Sequence, residues 1–177
     1  MSVAMAKGEL DELYELIEDM EIAILTTRRA DGRLVSRPMD TQDVDDQFDL
    51  WFMTTNETEK LDELEQDPNV NVAYYDADSY EWVSVSGRAR PVRDRDAIHR
   101  LYDASWKVWL EDKGDERDGG PDDPRIVLIE VEVDSVVYMK RKASKPRAAF
   151  EIVKGFVTGE RPDLGEVKRV EKPGGGA

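Results

Sequence analysis

The chain has no cysteine. Disulfides, thiolate nucleophiles and cysteine-ligated zinc are therefore outside its chemistry. It has one histidine, His99, too few for a multi-histidine metal centre, so no metal ligand is assigned. No G-x-S-x-G stretch supplies a serine nucleophile for that histidine. Basic charge is scarce: 25 Lys and Arg stand against 40 Asp and Glu, a net charge of −15 at pH 7. Such a balance repels phosphate backbones and anionic headgroups, so neither nucleic acid nor a membrane is an expected partner. No apolar run approaches the roughly 20 residues that span a bilayer. The opening MSVAMAKGELDEL lacks a charged-then-apolar signal layout. A soluble, cytoplasmic protein is the expectation. The acids at Asp43, Asp45, Asp46 and Asp49, and those in 115–123, match no calcium-loop spacing and read as solvated charge.

What remains is enough for a core. Of the 177 residues, 40% are hydrophobic, which suits an acidic folded protein better than a disordered one. One domain is expected over 1–166, followed by a flexible C-terminal tail, 167–177. Leu10, Leu13, Leu16, Ile17 and Met20 fall at helical spacing, predicting a helix over 9–20. EIAILTT, LVSRPMDTQDV, FDLWFMTT, NVNVAYYD, EWVSVSGRARPVR and RIVLIEVEVDSVVYMK read as strands. Asp31-Gly32 marks a hairpin turn. Pro38 marks an edge or interrupted pairing. Gly87 marks a bulge or a close backbone approach. Asn56 and Glu59 form a capping-box pattern for a helix that stops before Pro68. DRDAIHRLYDASWKVWL reads as a helix, and 145–157 as a last short one. Six strands joined mostly by tight turns do not alternate with helices as a parallel sheet requires. The pattern fits a mainly β fold, an antiparallel barrel with peripheral helices.

Three features could carry chemistry. The strand-to-helix junction in WFMTTNETEKLDEL places Thr54, Thr58 and Lys60 where free N–H groups and the helix dipole favour an anion. Arg37, in the preceding strand, could add a bidentate guanidinium. Trp82, Trp106, Trp109 and Tyr138 could wall in a flat heteroaromatic ligand. Each also has an ordinary structural explanation: a helix cap, a solvated arginine, core aromatics.

The stretches AILTTRRADGRLVSRPM, WFMTTNETEKLDEL, NVNVAYYD, WVSVSGRARPV, SWKVWLEDKGDERDGGPDDPRIVLIEV and VTGERPDLGE occur in this order between about residues 10 and 166. As an ordered set they resemble the pyridoxamine 5'-phosphate oxidase-like FMN-binding split barrels, and within them the general stress protein branch. The resemblance implies a six-stranded antiparallel split β-barrel with flanking helices, and a homodimer with non-covalent FMN in clefts at the subunit interface. It assigns the cofactor to Arg37, Pro38 and Met39 of the RPM strand, Met53 and Thr54 at the next strand end, and Thr58 and Lys60 at the helix start. Trp82 and Tyr138 complete the set, the latter from the partner side. A flavin-dependent oxidoreductase in a stress response is implied. The alternatives are a non-catalytic flavin carrier or sensor, or a barrel holding a deazaflavin or haem. No catalytic residue is assigned. The chain departs from the oxidases proper in having no histidine after His99, and so no Arg-x-His element for substrate. This argues against pyridoxamine 5'-phosphate oxidation. It also reads Tyr138-Met139-Lys140 where the stress branch often has Tyr-Trp-Asp.

Overall fold

The computed structural model describes residues 7–44, 48–141, 154 and 165–171. The predicted helix over 145–157 lies outside them apart from Lys154, as does the end of the tail. Strands β1 (Ile22–Arg28), β2 (Leu34–Val44), β3 (Leu50–Thr55), β4 (Asn69–Tyr75), β5 (Trp82–Val92) and β6 (Ile126–Lys140) are joined by antiparallel pairing in the order β3-β2-β1-β4-β5-β6. A direct β3–β6 ladder, from Leu50↔Val131 to Thr55↔Ile126, closes the six-stranded barrel. Closure removes the open edge that such a sheet would otherwise expose. A further strand, β7 (Glu166–Glu171), adds to the C-terminal half of β6. The stretch 167–171, expected as flexible tail, is thus an edge strand, with Val170 buried. Its backbone ladder with Ser135–Lys140 satisfies backbone groups on β6 that would otherwise face water.

The barrel interior follows the period-2 pattern. Leu25, Phe52, Val72, Val85, Ile129 and Val131 are all completely buried in one cluster. Helix α1 (Lys7–Met20) adds Leu13, Leu16 and Ile17 to it. Pro38 pairs with Ile24 on β1, but β2 meets β3 only from Thr41 onward. Its missing N–H therefore falls where β2 is an edge. At Gly87 a Cβ would stand 2.3 Å from the Glu132 carbonyl oxygen, so no larger residue fits this crossing of β5 and β6. The register slips there: Ser86 faces Ser135 while Gly87 faces Val133. The unpaired Asp134 reverses the faces of β6 beyond it. Val133 before it, and Val136 and Tyr138 beyond it, therefore all point inward.

A second cluster lies outside the barrel. Trp51, Ile126 and Leu128 on the outer face of β3 and β6 pack against Ala97, Ile98, Trp106 and Leu110. These come from α3 (Arg95–Leu101) and a 3-10 helix, Ala104–Trp109. The sequence predicts one continuous helix here. Tyr102 and Asp103 instead adopt extended backbone, and the Asp103 side chain accepts from the Ser105 N–H. An aspartate capping a new turn offers the chain an alternative to continuing the old helix.

Candidate functional site

Where β3 ends and α2 (Glu59–Gln66) begins, the barrel wall opens into a cleft of about 500 Å³, within the range of small-molecule sites. One side is polar: Thr54, Thr55, Thr58 and Lys60. The floor comes from Ile22 on β1, Pro38, Met39, Asp40 and Gln42 on β2, and Met53 on β3; the far side is Ser105, Trp106 and Trp109 of the 3-10 helix. A second hollow of about 280 Å³ is lined by Glu18, Glu21 and Asp43 with no basic side chain. Three carboxylates make it a poor host for an anion, so the larger cleft is the candidate.

The polar side is built by the chain itself. Thr58, not Asn56, is the N-cap of α2, and no side-chain cap bond forms there. The Thr58 hydroxyl instead donates to the Thr55 carbonyl at 3.0 Å. Lys60 Nζ donates to Thr54 Oγ1 at 2.8 Å, and Thr54 and Thr58 hydroxyl oxygens lie 3.3 Å apart. The first turn thus presents N–H groups without a side-chain cap beside two hydroxyls and an ammonium, a ready anion site. The exposed first-turn acids Glu59 and Asp62 face solvent. Burial lowers the Lys60 pKa below 10.5, the charge of nearby Arg37 lowers it further, and Glu63 partly offsets them. An arriving anion would relieve both pressures.

Arg37 meets different partners. β2 alternation sends Val35, Arg37 and Met39 toward the barrel interior. There Arg37 Nη2 pairs with Glu63 Oε2 at 2.7 Å, and Nη1 donates to the Thr27 hydroxyl. Thr27 donates in turn to Glu63 Oε2 at 2.6 Å. The guanidinium is committed to this triad and is not among the cleft-lining groups. It stands near enough to act on Lys60 through its charge.

Pro38, Met39, Met53, Thr54, Thr58 and Lys60 are therefore brought together in one cleft; Arg37, Trp82 and Tyr138 do not line it. Trp82 sits half-buried on the outer face of β5, opposite Tyr75 and Met139. Tyr138 is fully buried, its hydroxyl donating to Glu12 at 2.7 Å and its ring under the Lys168 ammonium. The bulge at Asp134 is the reason: it turns Tyr138 inward and Val137 and Met139 outward. Thr55, Gln42 and Ser105 also line the cleft, with no sequence signal to single them out, and Trp106 and Trp109, two of the candidate ring walls, join them. Trp106 is buried, with Nε1 donating to Gln42 Oε1 at 2.6 Å. Trp109 is 77% exposed on the cleft rim. The i, i+3 spacing of the two tryptophans was the available signal. His99 stands on the surface, bonded to Asp122 at 2.8 Å.

Comparison with known proteins agrees with this architecture. The family described as pyridoxamine 5'-phosphate oxidase like matches residues 8–163. The chain belongs to that family. It is 29% identical to Protein bli-3 of Neurospora crassa over 167 residues, 93% of this chain and 80% of the relative. It is 25% identical to the general stress protein 26 structure from Bacillus anthracis, with a TM-score of 0.61 over 72% of this chain and 91% of that one. The general stress FMN/FAD binding protein of Xanthomonas citri shares the fold at 21% identity and a TM-score of 0.63, covering 78% of this chain and 93% of that one.

Proposed function

We propose that the cleft binds FMN and that the protein is a flavin-dependent oxidoreductase of a stress response. One observation carries the reading. A phosphate-sized nest at the uncapped start of α2 opens directly into a cleft with sulfur and indole walls. Lys60, Thr54, Thr58 and the first-turn N–H groups would hold the phosphate. Arg37, locked to Glu63, contributes its field to this nest without entering the cleft. Pro38, Met39, Met53, Trp106 and Trp109 would pack on the flat ring system, burying its apolar faces and excluding water. A bound flavin supplies reversible electron transfer, while the protein supplies binding, orientation and shielding. The Xanthomonas citri neighbour, described as FMN/FAD binding, and the stress-protein relative support the assignment.

The same reading includes a homodimer. On the outer face of the sheet, Ile22, Ile24 and Tyr75 are exposed apolar side chains, continuous with Trp82 and Met139 through the β1–β4–β5–β6 ladders. Contiguous exposed apolar surface of this kind suits a second copy. Titration with FMN, followed by flavin fluorescence and light scattering, tests both parts. Saturable binding by a dimer is the expected result. A folded monomer that ignores flavin refutes the proposal. Flavin carriage without turnover is distinguished by stopped-flow reduction and reoxidation of the bound flavin.

A further inference from the structure

A second buried ion pair lies outside the cleft. Asp123 is fully buried and Arg125 nearly so. Arg125 Nη2 donates to Asp123 Oδ2 at 2.7 Å and Nε to Oδ1 at 3.1 Å. The N–H groups of Arg125 and Gly119 each donate to the same carboxylate at 2.9 Å. Arg125 Nη2 also reaches the carbonyls of Glu111 at 3.0 Å and Arg117 at 3.1 Å. One pair therefore gathers the start, middle and end of the 111–123 loop.

The contacts continue to both walls of the cleft. Gly119, at φ +76°, lies against the 3-10 helix so closely that a Cβ would meet Lys107 Cγ at 3.2 Å and Leu110 Cβ at 3.4 Å. The Tyr102 hydroxyl donates to the Gly119 carbonyl at 2.8 Å. The gathered loop thus backs the segment that carries Ser105, Trp106 and Trp109. On the other side, the Arg125 carbonyl accepts from the Asn56 N–H at 2.8 Å, in the turn that leads to Thr58. Buried ion pairs are poor stabilisers, since apolar side chains of similar volume often serve as well. A purely stabilising pair also needs no link to two separate walls.

We propose that Asp123 and Arg125 are positioning residues that brace the aromatic wall of the cleft against the β3–α2 turn, and so fix the slot that receives a flat ring. The inference rests on the flavin reading above. It does not make a pH switch. Burial pushes the Asp123 carboxyl up, but bonds from Arg125 and Gly119 more than offset this and hold it at about 2, so the pair stays ionised throughout the physiological range.

The test uses Asp123→Asn and the milder Tyr102→Phe; neither residue lines the cleft, and Phe keeps the ring that packs edge-on against Trp106 at 5.4 Å. Dissociation constants for FMN and for riboflavin are measured, together with amide hydrogen exchange of the unliganded proteins. Asp123→Asn should weaken both flavins by a similar factor, about tenfold, and Tyr102→Phe by about threefold, the range of one lost hydrogen bond. The FMN-to-riboflavin ratio should hold, because the phosphate nest is intact. Exchange should quicken across 104–110 and at Asn56. Parent-like affinity in folded variants, or a loss confined to FMN, overturns the proposal. If Asp123→Asn does not fold, Tyr102→Phe decides alone. If the parent binds neither flavin, the flavin reading fails, and unchanged exchange at 104–110 in Tyr102→Phe would overturn the brace separately.

Discussion

The two walls of the cleft are made in opposite ways. The polar wall, from Thr54 to Lys60, is one short stretch of chain whose groups bond to each other: Lys60 to Thr54, Thr58 to the Thr55 carbonyl. The aromatic wall is a 3-10 helix with little internal support. It is held by Gln42 from β2 at 2.6 Å and by the loop gathered on Arg125. A helix so short has few hydrogen bonds of its own and depends on its tertiary neighbours. The lesson is a division of labour. Damage to the first wall should read out as lost preference for a phosphate. Damage to the second should read out as lost affinity for any flavin.

The largest expected effect breaks neither wall but the triad behind the first. Glu63→Ala leaves the Arg37 guanidinium, 19% exposed, without its carboxylate. It should cost about 3–5 kcal/mol of stability, seen as a lower denaturant midpoint. A smaller loss would mean that water already reaches the pair. Next, Lys60→Ala should weaken FMN by roughly 1.5–3 kcal/mol and leave riboflavin unchanged, by parallel titration. A pH series sharpens the same point. Lys60 titrates below 10.5 in the folded protein, and only its charged form attracts a phosphate. FMN affinity should therefore fall as pH rises through that lowered value, relative to riboflavin, and the relative fall should vanish in Lys60→Ala. The smallest effect is at the rim. Trp109→Ala should change stability by no more than about 0.5 kcal/mol, as for other exposed sites. It should weaken both flavins by about 0.5–1.5 kcal/mol if the indole stacks on the ring.

The same contrast explains what could be read without coordinates. The polar side of the cleft was legible as a cluster because it is local: residue types, spacing and a strand-to-helix change lie within a few positions. Only its cap was misplaced, at Asn56 rather than Thr58. The barrel was legible from alternation in strands such as 127–133, and Gly87 from its interruption of a strand. The rest depends on distant partners. Nothing near Arg37 announces that Glu63 will bind it. Tyr138 turned inward because a single bulge at Asp134 reversed the face of β6, a shift that alternation alone cannot date to one residue. The break at Asp103 put Trp106 in the core and Trp109 on the rim. β7 was hidden because its charged pattern suits an edge strand and a solvated tail equally well.

The most direct test of the central claim is a pair of titrations, FMN and riboflavin, on the parent protein and on Lys60→Ala. The expected result is saturable FMN binding by the parent, tighter than riboflavin, with most of that gap gone in the variant. A folded parent that binds neither flavin, or binds both equally, would contradict it.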